Sequence, residues 1–281
     1  MGTSEPGSGS VVGLIAGRGE LPVIAARTLR AEGRRVVAVG FDDETRAALA
    51  AAVDAYHGLR LGQVEKLIRA FRDAGVSSAL LLGKIHKART FSDFRPDLRA
   101  ARIWMSLPDR HDDTILRAVV DELAREGVVV EAADRWLGAL FAAPGKLSRR
   151  EPDKDERANI AFGFRLAREI GRLDIGQTVV VKHLAPVAVE ALEGTDLTIR
   201  RGGEVAGPGV IVVKTAKPNQ DFRFDVPVVG LETARSVVAA QAAVLAIEAG
   251  RTLFVQRDET IALLDANRVA LWGCSEADVR A

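Results

Sequence analysis

A surplus of charge of either sign is missing from this sequence: 39 lysines and arginines stand against 38 aspartates and glutamates among 281 residues, a formal net charge of +1. A non-specific nucleic-acid binder needs a marked basic excess to displace counterions. No nucleic-acid partner is therefore expected, and any anion recognition must come from local clusters. Cysteine is nearly absent. Cys274 stands alone, which excludes an internal disulfide, and without ligand partners near it in sequence it reads as inert rather than catalytic. Long apolar runs are missing too, none reaching the ~18 residues of a membrane-spanning helix. Residues 1–10 read as a flexible Gly/Ser/Pro-containing tail without the basic and apolar regions of a signal peptide. What remains is 48% hydrophobic and 27% charged, the profile of a globular protein expected in the cytoplasm, with chain enough for one large domain or two ordinary ones.

From Val11 onward, short apolar runs alternate with amphipathic stretches. Val11–Ala16, Arg35–Val39, Ser78–Leu82 and Val128–Glu131 read as strands, with helical periodicity over Leu21–Ala31, Gln63–Ala74 and Asp113–Arg125. Strand–helix alternation predicts an α/β fold with a parallel, Rossmann-like sheet over residues 11–133. A boundary is expected around Ala132–Gly138, followed by a mixed α/β domain over residues 138–281. There the sequence predicts a helix over Asp155–Ile170, strands over Thr178–Lys182, Val187–Ala191 and Val210–Lys214, a turn at Arg201–Gly202–Gly203, and one long Ala/Val-rich helix over Leu231–Glu248. Its strands are expected to cluster before that last helix. Trp104, Trp136 and Trp272 read as core or interface residues.

The first candidate site is the strand–turn–helix passage from Val12 to Pro22. Gly17 and Gly19 let the backbone approach a phosphate, while Glu20 and Leu21 open a helix whose N-terminus offers free N–H groups. Pro22 suits that first turn, but it stands where the dinucleotide fingerprint has its third glycine. Asp42 and Asp43 lie where a ribose-binding acid would sit. A tight turn without ligand is the competing reading. Lys84, His86, Lys87 and Arg89 form a basic loop after a strand end, either solvated or in reach of a phosphate. His111-Asp112-Asp113 resembles a metal cluster but precedes a helix that Asp112 and Asp113 can cap.

The second candidate is a charged constellation in the C-terminal half. Lys182, Glu190, Glu193, Thr195, Asp196 and Arg200 lie in one stretch; Lys214, Lys217, Gln220, Asp221, Arg223 and Asp225 lie in another, stiffened by Pro218 and Pro227. Phe222, Phe224 and Val226 alternate with Asp221, Arg223 and Asp225, so an extended segment would put three charges on one face. Surface ion pairing is the bland alternative. The functional one is a phosphate anhydride: its oxygens need cations, which Lys182, Arg200, Lys214, Lys217 and Arg223 supply. Glu190, Glu193, Asp196, Asp221 and Asp225 offer hard oxygens for Mg²⁺, or a base that orients water.

With these motifs in place, the chain resembles the LpxI-type UDP-2,3-diacylglucosamine pyrophosphatases of lipid A synthesis in Gram-negative bacteria. The resemblance runs from Val12 to about Gly273. It is carried by Gly13-Leu14-Ile15-Ala16-Gly17 with Gly19, Leu21 and Pro22; by Asp174-Ile175-Gly176-Gln177; by Ala188-Val189-Glu190 with Glu193-Gly194-Thr195-Asp196; and by Lys217-Pro218 with Gln220-Asp221, Arg223, Asp225, Pro227 and Gly230. It implies a UDP-binding N-terminal domain and a hydrolase domain peculiar to the family. It implies Mg²⁺-dependent hydrolysis of UDP-2,3-diacylglucosamine to UMP and 2,3-diacylglucosamine 1-phosphate (lipid X), by water attacking the sugar-side phosphorus, with the essential aspartate at Asp225. The catalytic set is then Asp225, Asp221 and Arg223, with Asp225, Asp221 and Glu193 as metal ligands. Gly17, Gly19, Glu20, Leu21, Lys84, Lys182, Glu190, Thr195, Asp196, Arg200, Lys214, Lys217 and Gln220 are the substrate-binding candidates. Transient contact with the inner-membrane surface and a homodimer complete the expectation. One departure is His183-Leu184-Ala185-Pro186, where the family usually has a glycine-containing turn. The rivals are an NAD(P)-dependent oxidoreductase, resting on the glycine loop, and a non-catalytic nucleotide-sugar-binding protein. Arg117–Gly127 lacks the paired acids of a Nudix helix, and no calcineurin-like metallophosphatase motif is present.

Overall fold

The computed structural model describes residues 10–41, 43–83, 96–109 and 112–280. Residues 1–9 of the tail, Asp42, Lys84, His86, Lys87, Arg89 and His111 lie outside the described residues. Two units share the chain: Met1–Leu137 with Phe222–Asp225, and Gly138–Asp221 with Val226–Ala281.

The first unit runs β1 (Val11–Ala16), α1 (Leu21–Ala31), β2 (Arg35–Gly40), α2 (Asp43–Ala52), β3 (Ala55–Gly58), α3 (Val64–Asp73), β4 (Ser78–Leu82), α4 (Leu98–Ser106), α5 (Asp112–Arg125), β5 (Val129–Val130) and α6 (Ala133–Leu137). Its five strands are all parallel, in the order β3-β2-β1-β4-β5. Alternate residues of the inner strands explain the packing: Ile15, Val37, Val39, Ala79 and Leu81 join Leu67, Ile68 and Phe71 of α3 and Val120 and Leu123 of α5 in one apolar cluster. Gly13 serves that packing. A Cβ there would lie 2.9 Å from the Phe71 ring and 2.8 Å from Val76, so its absence lets α3 lie close on β1. The strand order reverses between β1 and β4, the crevice where open α/β sheets take their ligands.

The second unit contains β6 (Gly145–Lys146), α7 (Lys154–Arg172), β7 (Thr178–Lys182), β8 (Ala185–Val189), α8 (Thr195–Ala206), β9 (Ile211–Lys214), β10 (Val228–Val229), α9 (Leu231–Ala239), β11 (Val244–Glu248), β12 (Leu253–Phe254), α10 (Arg257–Ala266), β13 (Ala270–Cys274) and α11 (Ala277–Arg280). Six of these strands form a mixed sheet in the order β6-β13-β11-β9-β7-β8, with β13, β11 and β9 parallel and the other three antiparallel to their neighbours, while β10 and β12 pair in parallel as a separate two-stranded sheet. α7 starts in a capping box: Asp153 accepts from the Glu156 amide and Glu156 from the Asp153 amide, both at 2.9 Å. Its Ile160, Phe164 and Ala167 cover Val179, Val181, Ile211 and Val213 on one face. On the other, Val180, Val212, Leu245 and Ile247 meet Ile199 of α8 and Ala234 and Val237 of α9.

Five expectations are corrected. Leu231–Glu248 is not one helix but α9 followed by the buried strand β11. The break falls at Gln241, which holds a left-handed φ of 49° without being glycine. Strands therefore also follow the last long helix expected, as β11 and β13. Arg201–Gly202–Gly203 is not a turn. It lies inside α8, where a Cβ on Gly202 would meet Val180 at 2.6 Å and one on Gly203 would meet Ala240 at 2.6 Å; these glycines let α8 press close on β7 and on the end of α9. The strand expected over Val187–Ala191 begins two residues earlier, at Ala185. Finally, Asp221–Asp225 is not extended, because Phe222–Phe224 form a turn, so the alternation does not build a charged face.

Candidate functional site

At the switch point of the first sheet, Gly17 is buried and its N–H donates to the Leu82 carbonyl at 2.8 Å, closing the end of β1 onto β4. Gly19 takes a φ of 109°, open to glycine alone. Glu20 is the N-cap of α1, with no side-chain cap bond, and α1 has no acid in its first turn. Leu21 and Pro22 open the helix. Gly83, at φ 93°, leans on this loop; a Cβ there would stand 2.8 Å from the Gly17 carbonyl carbon. The result is a backbone cradle at a helix N-terminus, electropositive and suited to phosphate oxygens. Lys84 lies outside the described residues.

At one edge of the second sheet, a polar network closes on itself. Lys214 ends β9 and Thr178 begins β7; the two are register partners. Glu190 follows β8, and Thr195 opens α8, whose N-cap Gly194 makes no side-chain cap bond. Lys214 Nζ donates to Thr195 Oγ1 at 3.1 Å and to the Val228 carbonyl at 3.0 Å. Thr195 Oγ1 donates to Glu190 Oε1 at 3.1 Å and lies 3.2 Å from Thr178 Oγ1. Glu190 Oε2 accepts from the Gln177 amide at 3.3 Å. Lys214 and Glu190 are only 6% and 7% exposed, so a buried cation and a buried carboxylate share one hydroxyl. Gly176 permits the approach, since a Cβ there would run into the Glu190 carbonyl. Asp196 lies in the first turn of α8, its Oδ1 buried without a partner.

Other candidates go elsewhere. β7 runs antiparallel to β9, so Lys182 emerges at the opposite edge from Lys214. Its Nζ donates to the Ala206 and Pro208 carbonyls, both at 2.8 Å, at the C-terminal end of α8. Arg200 is exposed on α8. Glu193 is engaged at both oxygens, by Arg201 and Thr198 at one and the Ala191 amide at the other. Its carboxyl is held below the usual range by its own backbone amide first and by Arg201 second. Among the described residues, no three His, Cys, Asp or Glu side chains group as a metal-holding set.

The loop after β9 is pinned at its root. Glu248, ending β11, accepts from the Ala216 amide at 2.8 Å and pairs with Arg168 at 2.8 Å and Arg251 at 3.4 Å. Gln220 Oε1 accepts from the Lys217 amide at 2.8 Å, while Lys217 Nζ pairs with Asp174. Further along, the Phe222 carbonyl accepts from the Ala133 amide at 3.0 Å, and Phe224 packs on the first unit's apolar cluster. Arg223 stacks 5.7 Å from the Phe224 ring centroid, Asp221 is half-buried, and Asp225 is exposed.

Two family models divide this chain between them: the LpxI N-terminal domain matches residues 11–140 and the LpxI C-terminal domain residues 143–272. The chain belongs to the LpxI family. The UDP-2,3-diacylglucosamine pyrophosphatase LpxI of Caulobacter vibrioides is 34% identical over 267 residues, covering 90% of this chain and 94% of that protein. Among solved structures, the biotin carboxylase domain of a single-chain bacterial carboxylase is 16% identical with a TM-score of 0.26, covering 59% of this chain and 35% of that one. The biotin carboxylase subunit of pyruvate carboxylase is 11% identical with a TM-score of 0.27, covering 70% of this chain and 42% of its own. This chain spans less than half of either, and likeness at these scores carries no argument.

For this LpxI chain, sequence reasoning missed Thr178, Arg168, Glu248 and Arg251. Glu248 carried a usable signal: it is a lone charge closing the apolar run Val244–Ile247, as a strand-end carboxylate does. Reading that run as helix hid it.

Proposed function

We propose that this chain hydrolyses the diphosphate bond of UDP-2,3-diacylglucosamine, releasing UMP and 2,3-diacylglucosamine 1-phosphate, a step of lipid A biosynthesis. The observation that carries the reading is the end-to-end 34% identity with an LpxI pyrophosphatase, together with both family domains in order along the chain. The strand order and the glycine cradle support the first unit as a Rossmann-like UDP-binding domain. The second unit is the hydrolase domain of this reading.

In the proposed chemistry, a water oxygen bonds to the sugar-side phosphorus as the bridging oxygen departs with UMP. Asp225 orients that water and Arg223 stabilises charge that develops on the phosphoryl oxygens. The resemblance adds Lys214, Lys217, Gln220 and Thr195 as substrate-binding groups, the lysines for the anionic oxygens and the other two as neutral hydrogen-bonding partners. Carboxylates are the donors that Mg²⁺ takes, and Mg²⁺ is commonly held by one or two of them with substrate phosphates completing the set. Asp221 and Asp225 fit that pattern; Glu193, with both oxygens engaged, is set aside. When bound, the ion neutralises charge on the diphosphate oxygens. Among the described residues no helix is long and apolar enough to cross a membrane. The proposed reading has the enzyme work in the cytoplasm and meet its acylated substrate by transient contact with the inner-membrane surface.

The test is UMP release from UDP-2,3-diacylglucosamine by the purified full chain, with EDTA and Mg²⁺ arms, in ¹⁸O-water. Expected are release that EDTA stops and Mg²⁺ restores, with the label in the sugar phosphate. Asp225→Ala should lower kcat by a factor on the order of a hundred to a thousand, with substrate still bound. A nicotinamide absorbance change without UMP would support the oxidoreductase reading instead. Near-normal turnover in the Asp225 variant would remove that carboxylate from the mechanism.

A further inference from the structure

The tetrapeptide Phe222–Asp225 is the only part of the second half of the chain that groups with the first unit; Asp221 before it and Val226 after it group with the second. Three observations show what holds it. The Phe222 carbonyl accepts from the Ala133 amide at 3.0 Å. The Phe224 side chain, half-buried, packs against the apolar cluster that includes Ile15, Val39 and Phe71. The guanidinium of Arg223 stacks over the Phe224 ring, 5.7 Å from its centroid.

From this we infer that Phe224 is a positioning residue for the hydrolytic reaction: by seating in the first unit's core it fixes the backbone that presents Asp225 and orients Arg223. This inference rests on the reading of Asp225 as catalytic. The physical case is one of leverage. Asp225 is exposed, and a short turn between two chain crossings has little rigidity of its own. The backbone bond at Phe222 fixes one point of the turn, and the Phe224 ring, adjacent to Asp225, fixes a second. Without the ring, the turn loses its apolar seat beside Asp225, and the backbone that carries the carboxylate gains freedom. A displacement of about 1 Å at a reacting group can lower a rate by about a hundredfold. The Phe224 ring is half-buried against the apolar cluster, so its proposed action runs through the neighbours whose backbone it seats.

The experiment compares Phe224→Ala, Phe224→Leu and Asp225→Ala with the wild-type full chain on UDP-2,3-diacylglucosamine. All are assayed well below the melting temperature of every variant. Phe224→Ala should lower kcat by about ten- to a hundredfold with KM within about twofold, because the substrate-holding groups elsewhere are untouched. Phe224→Leu, which keeps an apolar anchor, should recover most of kcat; full recovery would assign the effect to seating, and partial recovery would add the Arg223 stack. A merely structural role predicts a lower melting temperature with kcat unchanged. Wild-type kcat in Phe224→Ala, or a loss confined to KM, overturns the inference. The inferred function fails separately: no UMP release by wild type, or full activity in Asp225→Ala, sinks that reading whatever the Phe224 variants do.

Discussion

The two units prepare their candidate sites in opposite ways. In the first, the site is backbone: Gly17, Gly19 and Gly83 shape a loop against an uncapped helix N-terminus. Among its described residues, every left-handed φ belongs to glycine, at 19, 33, 62, 75, 83 and 127. In the second, the site is side chain: Lys214, Thr195 and Glu190 on one strand end, Glu248 with Arg168 and Arg251 on another. There Asp174, His183, Leu184, Gln241, Gln256 and Arg268 all hold positive φ without being glycine. A glycine cradle is ready for an anion and loses little when empty, because its N–H groups can face water. A buried ionic network must satisfy itself before any ligand arrives, since a lone buried charge is expensive. The second unit therefore has strain and desolvation to offset, and its tightly covered two-faced sheet provides the packing that does so.

The sharpest way to break this contrast is to remove a member of the network. Glu248→Ala strands the Ala216 amide and leaves Arg168 and Arg251 without their shared partner. The carboxylate is only 4% exposed. Because both arginines reach water, the loss is expected at about 2–3 kcal/mol rather than the larger cost of a fully buried pair. Thermal unfolding should show a drop of roughly 5–10 °C, with kcat falling as the root of the Lys217–Asp225 loop loosens. Glu248→Gln keeps an acceptor for the amide and should recover much of both. A pH series adds a signed check. Burial pushes the Glu248 carboxyl above its ordinary value, with the Ala216 amide, Arg168 and Arg251 pulling back. A raised native value means a contribution complete below the ordinary carboxylate pKa and lost as pH rises through the native one. The glutamine variant, which cannot ionise, should therefore compare best with wild type on the alkaline side. An unchanged melting temperature in Glu248→Ala would make the network ornamental.

The complementary probe strikes the cradle. Gly83→Ala puts a Cβ 2.8 Å from the Gly17 carbonyl carbon and forces alanine to a φ of 93°. A cost of about 1–2 kcal/mol is expected from the backbone alone. The functional effect should fall on KM, because the loop that would hold the diphosphate is pushed out of shape, while kcat at saturation changes less. Wild-type KM for the UDP-linked substrate in this variant would argue that the cradle is only a tight turn.

Legibility followed the same division. The sequence expectation matched α1 and β1 residue for residue, because Val11–Ala16 is an unbroken apolar run and Leu21–Ala31 has a clean apolar stripe between glycine punctuation. α2 and β3 went unread: Asp43–Ala52 carries little stripe, and Ala55–Gly58 is an edge strand without alternation. In the second unit, punctuation itself misled. Gly202 and Gly203 look like a turn but serve close helix packing, while the true break before β11 is made by Gln241 in a left-handed conformation that sequence does not announce. The site divided likewise. Lys214 and Glu190 could be nominated from their charge and position at strand ends, and Thr195 from the motif Glu193-Gly194-Thr195-Asp196. The anchoring of Phe222 and Phe224 could not, since it depends on a contact with chain about ninety residues away and the alternating pattern pointed to an extended face.

The smallest effect expected comes from relieving the second unit's strain. His183 and Leu184 link β7 to β8 with φ of 51° and 59°, where a two-residue hairpin with both central residues left-handed prefers Asn-Gly. The turn conformation is kept although the favoured residue is not. The Asn159 side chain helps hold it, accepting from the Leu184 amide at 2.8 Å, and the Leu184 side chain is 54% exposed, so its removal empties no core. A left-handed leucine costs about 1–2 kcal/mol relative to glycine, and glycine gives back part of that through greater freedom in the unfolded chain. Leu184→Gly should therefore stabilise the protein by about 0.5–1 kcal/mol, a rise of roughly 1–4 °C in melting temperature, with kcat and KM unchanged because the turn lies at the edge of the sheet opposite Lys214. A destabilised variant would mean that Leu184 contributes a contact worth more than its strain. A changed kcat would mean that the two edges of this sheet are coupled, against the view that the network around Lys214 is set by its own partners.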